Sequence, residues 1–430
     1  MESHNSITNQ VYWYTLRIPK EKVLTENDEA DVVIVGGGMA GLTAAQKLSE
    51  RGQTVILVER EFCGAGASGK SSGFITPESE LGLQGLLSRF TPEQSKMLWE
   101  FALDGTRHIR KTIDRFGLVC DYQIQDCLYI ANSARAFRTV AEEHKARETL
   151  GYPSKLYTGN NLSSVISSPH YYGAMRYPDT FSIISYLYCQ GLKEALQKQG
   201  VKIYERTPVT AIRNKEVAAG PFRITARRII ICTDRFLPEL GIIKDHVYSA
   251  QTFLTISKPL NDDQIQLIFP NGPCMVWDTD LTYQYYRLTG DKRLLFGAET
   301  LLYTYAPRER HNSRLITRKM HRYISQKFPK LNIQFEYLWP GLIGVSKDFL
   351  PLAGQHPTLS NVYYIGGAAG LPWAAALGGY MADKVIDERT SPLDAYFTAE
   401  RRYPIGKTIQ RIVRKPLAFA LSHGITEYFD

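Results

Sequence analysis

The chain has 430 residues, 44% hydrophobic and 22% charged, a balance that builds a sizeable core and excludes a disordered chain. The 51 basic residues outnumber the 43 acidic ones mildly, which suits anionic ligands or surfaces but gives no ground for a nucleic-acid partner. Six scattered cysteines (Cys63, Cys120, Cys127, Cys189, Cys232, Cys274) without a C-x-x-C pair argue against a disulfide framework and a zinc site, so no metal is expected.

The first ten residues are polar and show no secretory signal, and no run approaches membrane-span length; a cytoplasmic setting is expected. Tyr12, Trp13 and Tyr14 then form an aromatic cluster expected to anchor this arm. Residues 31–59 read as strand, glycine turn, helix and strand. An apolar β-branched run (Val32–Val35) leads directly into Gly36, Gly38 and Gly41, a G-x-G-x-x-G. Gly36 permits the tight turn, Gly38 lets backbone approach a pyrophosphate, and Gly41 brings the helix close to the strand. A second strand, 55–58, ends in Glu59, at the distance expected of an acid that binds a ribose hydroxyl. This set predicts a dinucleotide site.

Residues 64–73, GAGASGKSSG, are too rich in glycine and serine for a regular element. Thr91-Pro92-Glu93-Gln94 carries a helix N-cap and a capping box, and predicts a helix to about Arg115 that stops before Gly117. Helices are also expected over 134–150 and 184–199, followed by strands at 201–204 and 228–232. From 247 to 300 the chain is strand-rich, with a hairpin turning at Gly290-Asp291. A helix follows at 311–328. A strand at 362–365, a glycine turn at 366–370 and a small-residue helix at 373–386 close the pattern.

Four segments carry a family resemblance: VVIVGGGMAGLTAA with VILVE at 32–59, GASGKSSG at 66–73, YYRLTGDKRLLFGA at 285–298, and WPGLIGVSKDFLPLAG with NVYYIGGAAGLPWAAALGGYMAD at 339–354 and 361–383. In order and spacing the chain resembles the D-amino-acid oxidase-like superfamily of FAD-dependent oxidoreductases. Within it, the chain is most similar to glycine/sarcosine oxidase-like and γ-glutamylputrescine oxidase-like enzymes. The resemblance implies an α/β (α+β) fold, with a Rossmann-like FAD domain (1–90, 180–240 and 335–395) and an inserted antiparallel-sheet substrate domain (91–179 and 241–334). A basic tail, 396–430, follows.

The resemblance also implies a cofactor, FAD held non-covalently, and a small-molecule amine or amino-acid substrate. Cofactor contacts are expected from Gly36, Gly38, Met39, Ala40, Gly41, Glu59 and Arg60 at the ADP end, with Val209 at the adenine and Thr233 beyond it. Ala67, Ser68, Gly69, Lys70, Ser71, Ser72 and Gly73 would pass the flavin, Lys70 neutralising phosphate or reduced-ring charge. Gly344, Gly367, Gly370 and Leu371 would meet the ring, where the N-terminus of the last helix favours the negative charge of reduced flavin. Leu371-Pro372-Trp373 stands where relatives often read G-H-G, and makes Trp373 a candidate pocket wall. Tyr283, Tyr285 and Arg287 alternate onto one strand face, with Arg287 placed to pair a substrate carboxylate. Lys347 is a further candidate to reach the flavin.

The expected chemistry is hydride removal from the carbon next to an amine, giving an imine that hydrolyses. Oxygen, or a quinone or other electron-transfer partner, would take the electrons. The tail's Arg401, Arg402, Lys407, Arg411, Arg414 and Lys415 could make peripheral membrane contact. Two alternatives stand beside this: a flavin-fold binding or escort protein without turnover, and a membrane-associated dehydrogenase that passes electrons to a quinone.

Overall fold

A parallel sheet hides both of its faces, so its strands must be apolar on both sides. Asp28–Val35 meets that demand: Val32 and Ile34 join one core cluster, while Val33 and Val35 join another on the opposite face. The computed structural model describes residues 7–403, apart from 79, 281–282, 300–307, 310–312 and 389. Asp28–Val35 pairs in parallel with Val55–Val58 on one side and Phe222–Ile231 on the other. Lys202–Tyr204 extends the sheet beyond Val55–Val58, and Val362–Gly366 runs beside the end of Phe222–Ile231, both parallel. Antiparallel Leu352–Gln355 and the hairpin Ala211–Arg213/Glu216–Ala219 complete eight strands.

Three helices stack on one face of this sheet, led by Met39–Glu50, which follows the glycine turn, and Leu371–Asp387, which packs on it. Pro92–Phe116 packs on Leu371–Asp387 in turn. That third helix starts on the expected capping box at Thr91 and Gln94 and ends where Gly117 turns left-handed, at φ 57°. Its packing moves it from the substrate domain, where 91–179 placed it, to the cofactor sheet. The reason lies in the contact itself: Gly105 sits directly against the Pro372 carbonyl, where no Cβ would fit.

The second sheet has eight strands and is mostly antiparallel. Its longest pairing joins Tyr248–Pro259 to Phe335–Val345, in register from Tyr248 opposite Val345 to Ile256 opposite Tyr337. Residues 335–345 were expected in the cofactor domain; their backbone partners put them in this sheet. The hairpin Gln284–Leu288/Arg293–Glu299 forms as the Gly290-Asp291 turn predicts. Cys127–Ile130 and Ala174–Tyr177, short and not foreseen, extend the sheet past Met275–Asp278.

One face of the second sheet is covered by Ser313–Lys327, whose Ile316, Met320 and Ile324 pack with Tyr286, Leu288 and Phe296. Within that core Asp278 accepts the Tyr323 hydroxyl at 2.6 Å and the Gln284 amide at 3.0 Å, and Tyr171 joins Tyr323 and Tyr286 at 3.1 Å. Burial raises the Asp278 carboxyl from 3.8 to about 6, with the hydrogen bonds opposing. A carboxyl with a raised folded pKa favours the folded state fully below its unfolded pKa and loses that contribution as pH rises through the folded one. Asp278→Asn, which cannot ionise, should therefore gain stability relative to the native protein as pH rises from about 4 to 6, by on the order of 3 kcal/mol. Urea unfolding of both proteins across that range checks the slope.

Candidate active site

The C-terminal ends of the parallel strands open into a cleft of about 870 Å³. This is where ligands bind in open α/β sheets. Gly36, at φ 111°, carries the chain from Asp28–Val35 into the helix turn, and a Cβ there would come within 2.5 Å of the Cys232 carbonyl. Gly38 and Met39 lie on the cleft wall beside Ala40, and the Met39 amide donates to the Ser68 hydroxyl at 2.9 Å. Gly41 faces away from the cleft, against the Gly36 carbonyl.

Glu59 caps the neighbouring strand, accepting the amides of Gly37 at 2.8 Å and Glu61 at 2.9 Å. Burial raises its carboxyl and those two amides pull it back. Arg60 also lines the cleft, stacked over Phe236 at 3.7 Å. Val209 and Thr233 line it further along, and the buried Thr233 hydroxyl has no protein partner. An orphaned hydroxyl, a glycine turn without side chains and an acid at the strand end together fit a dinucleotide, and the family's FAD is compatible with every one of them.

Around Ala67, Ser68 and Lys70 the cleft passes into a second chamber of about 210 Å³. Gly370, Leu371, Pro372 and Ala374 form one wall at the start of Leu371–Asp387, and no side chain caps that helix. Thr252, Leu254, Trp277, Tyr283 and Tyr285 of the second sheet form the other, with Phe74, Thr76, Glu78 and Glu80 beside them. Ser71 and Ser72 reach this chamber; Gly69 and Gly73 instead sit behind the loop, Gly69 against the Gly64 carbonyl and Gly73 against that of Ile183.

The loop at 64–73 has its carbonyls fastened from behind. The Tyr14 hydroxyl donates to Ala65 at 2.9 Å, the Trp339 indole to Lys70 at 3.1 Å, and the Trp13 indole to Ser71 at 3.1 Å. Arg287 Nε donates to Ser72 at 2.7 Å. The first three donors explain what the aromatic arm does and why a tryptophan opens the segment at 339.

Four expectations change at this point. Arg287 shares a strand face with Tyr283 and Tyr285, but beyond them it is fully buried under the loop. Its remaining nitrogens donate to the Ile183 carbonyl at 2.8 Å and the Ser182 hydroxyl at 3.2 Å, so it faces no cavity wall and pairs no substrate carboxylate. Burial lowers its pKa to about 10. Trp373 is not a pocket wall: the first helical turn rotates it inward against Phe101 and Phe397, its indole donating to the Pro77 carbonyl at 3.0 Å. Lys347 is buried with its ammonium 5.0 Å from the Tyr403 ring centroid, away from both cavities. Arg401, counted with the basic tail, is an internal ligand of Asp348 at 2.7 and 2.8 Å. The rest of the tail's charges beyond Arg402 lie outside the described residues, and the membrane-contact reading with them.

Gly344 and Gly367 act through a residue the sequence reading passed over. Asp234, at φ 49°, turns its carboxylate to the Gly344 amide at 2.6 Å and the Gly367 amide at 2.8 Å, and lies on the wall of both cavities. Burial raises its carboxyl and the amides lower it. Ile231-Cys232-Thr233-Asp234 stands where the resembled family reads an Ala-Thr-Gly/Asn turn, and the acid at its last position is the signal that could have found it. Lys70, the one cation of the loop, pairs with Glu309 at 2.6 Å where the two cavities meet. Among the described residues there is no cluster of acids, histidines and cysteines suited to a metal, and no helix long and apolar enough to cross a membrane.

This is the architecture of a dinucleotide-binding oxidoreductase built on two eight-stranded sheets. The family model described as FAD dependent oxidoreductase matches residues 31–384, and the chain belongs to that family, DAO. It is 26% identical over 383 residues to the probable oxidoreductase OrdL of Haemophilus influenzae, covering 86% of each chain. It is 27% identical over 400 residues to the gamma-glutamylputrescine oxidoreductase of Escherichia coli, covering 90% of this chain and 91% of that one. Its fold is similar to the crystal structure of glycine oxidase from Geobacillus kaustophilus, with a TM-score of 0.75 over 88% of this chain and all of the other, at 18% identity.

Two substitutions test these placements. Arg287→Lys keeps the charge but cannot reach the same set of oxygens; each carbonyl left unmatched should cost roughly 1–3 kcal/mol. The expected result is a lower melting temperature and faster FAD loss on dilution. Asp234→Ala should likewise release FAD, measured by flavin fluorescence after gel filtration, while Asp234→Asn, which keeps one carbonyl acceptor and tolerates a positive φ, should retain more.

Proposed function

We propose that this chain oxidises a small amine or amino acid, removing a hydride from the carbon next to the nitrogen to give an imine that water hydrolyses to a carbonyl compound. The observation that supports it best is the chamber joined directly to the cofactor cleft, walled by an uncapped helix N-terminus on one side and three aromatic rings on the other. FAD, when bound, supplies the hydride acceptor. The resemblance to an enzyme named for oxidising a γ-glutamyl amine supports the nitrogen-bearing substrate.

The residues each have a part in this reading. Trp277, Tyr283 and Tyr285 form a wall that displaces water and holds the substrate's carbon against the ring. The free amides and dipole of Leu371–Asp387 favour negative charge arriving at that end of the cleft. Lys70, at the junction of the cavities, adds a cation beside the same region. No side chain has to act as a strong base if the amine binds neutral.

FAD is held without a covalent bond in this reading. The thiol on the cleft wall, Cys232, has its pKa pushed up to about 12 by burial, far from a nucleophilic thiolate. Oxygen or a quinone-type acceptor reoxidises the enzyme. Purified protein should be yellow, and acid precipitation should leave the flavin in the supernatant. Under anaerobic conditions its absorbance near 450 nm should bleach with a member of a panel of amines, N-methyl amino acids, D-amino acids and γ-glutamyl amines. Admitting air, then a soluble quinone, separates the two acceptors by the rate at which colour returns. A colourless protein that refuses FAD would instead mark a binding or escort role.

A further inference from the structure

With the substrate in the chamber and the cofactor in the cleft, a hydride crosses where the two cavities meet. Among the described residues, two charged side chains stand on the wall of both cavities, Lys70 and Asp234. The Asp234 carboxylate is committed to the Gly344 and Gly367 amides. Lys70 has its main chain fixed on both sides, its amide donating to the Gly66 carbonyl at 3.2 Å and its carbonyl accepting the Trp339 indole at 3.1 Å. Its ammonium meets the Glu309 carboxylate at 2.6 Å, and the two side chains are only 16% and 24% exposed. Glu309 lines the cleft and lies in the chain between Arg293–Glu299 and Ser313–Lys327, a strand of the second sheet and the helix that covers it. The other cations here border the cleft and not the chamber: Arg60 and Arg235, 3.7 and 3.8 Å from the Phe236 ring centroid, and Arg308.

We propose that Glu309 is the counter-ion that cancels Lys70 at the hydride-accepting end of the cofactor, and so holds the potential of bound FAD low. This rests on the amine-oxidation reading and adds how the electron affinity of its cofactor is set. A hydride carries two electrons and one proton, so the ring that accepts it gains one negative charge. A lone ammonium beside the ring would stabilise that charge and raise the potential. A carboxylate 2.6 Å from the ammonium opposes it with the other sign, and a partly dry space screens neither charge well. The cofactor therefore accepts a hydride less readily, and passes electrons to the next acceptor more readily, than Lys70 alone would make it. Glu309 acts through Lys70, which makes it a positioning residue and not a catalytic one.

The midpoint potential of the FAD-loaded full chain decides it with no amine present. It is read by equilibration with a redox dye during slow anaerobic reduction with dithionite. Glu309→Gln removes the carboxylate charge and keeps the side chain's shape. At one fixed external potential its reduced-to-oxidised ratio should rise about tenfold, a shift of about +30 mV for a two-electron couple. Lys70→Met should lower the ratio by a similar factor. The double variant, which removes both charges, should return to within about twofold of the native ratio, or about 9 mV. A pair with a merely structural role would not give two shifts of opposite sign that cancel. An unmoved or lowered potential in folded, FAD-loaded Glu309→Gln overturns the proposal, and so does a double variant that keeps the whole Glu309→Gln shift. Should one single variant lose its FAD, the sign of the other's shift decides alone. FAD release on dilution, followed by flavin fluorescence, is measured alongside. Slower release from Glu309→Gln at an unmoved potential would put Lys70 against the phosphates and overturn the proposal as well. If no amine bleaches the flavin, the amine-oxidation reading falls, while the dye titration still decides what Glu309 does to the potential.

Discussion

The site depends on a loop whose carbonyls are pulled backwards. Peptide groups have two polar ends, and a buried loop must satisfy both. At Lys70, Ser71 and Ser72 the carbonyls go to Trp339, Trp13 and Arg287, three fully buried side chains from three separate parts of the chain. With the oxygens engaged on the far side, the opposite face of the loop is left to line the cleft and the chamber. The three donors also explain why the second sheet and the N-terminal arm come together: Trp13 stacks edge-on against Trp339, 5.5 Å between centroids, so the arm and the strand Phe335–Val345 brace the loop as one unit. The large buried aromatics supply apolar area, and their single N–H groups supply direction.

A second constraint fixes the helices above the sheet. Gly378 lies against the Ala40 carbonyl and Gly105 against the Pro372 carbonyl, each where a Cβ would not fit. Backbone therefore meets backbone from Pro92–Phe116 through Leu371–Asp387 to Met39–Glu50. The two helices whose N-termini face the cavities are held by steric contact at close range, which lets two well-separated segments of sequence present their first turns to one continuous space.

Much of this was legible in the sequence wherever the signal is local. The glycine turn after Val32–Val35, the capping box at Thr91 and the hairpin at Gly290-Asp291 are short-range patterns, and each formed as read. What was not legible depended on which surface a side chain would meet. Arg287 alternates correctly with Tyr283 and Tyr285, yet alternation gives a face and not a position along it; Gly73 and Ile183 cover that end of the strand. Trp373 lay one residue from the chamber wall, and on a helix one residue is a rotation of about 100°. The strand Phe335–Val345 pairs with Tyr248–Pro259, far upstream in sequence, so no local pattern could assign its sheet. Arg401 looked like one cation in a basic tail because its acid, Asp348, lies 53 residues upstream.

Asp234 shows how a departure from pattern can carry more information than a match. A glycine or asparagine at that turn would serve the left-handed backbone alone. The carboxylate also joins Gly344, in the second sheet, to Gly367, in the turn that opens the last helix. The two sheets are thus tied to each other at the wall they share, by hydrogen bonds to a charged acceptor, the stronger kind. The cost is a carboxylate whose ionised form burial disfavours and whose amide donors must be kept aligned to offset it. That cost makes sense only if the spacing between strand Phe335–Val345 and the helix turn has to be held closely, because that spacing sets how far the wall at Gly341 and Ile343 stands from Gly370 and Leu371 across the chamber. A tie at this point fixes the width of the chamber between the strand and the helix turn, whatever the side chains of its other walls.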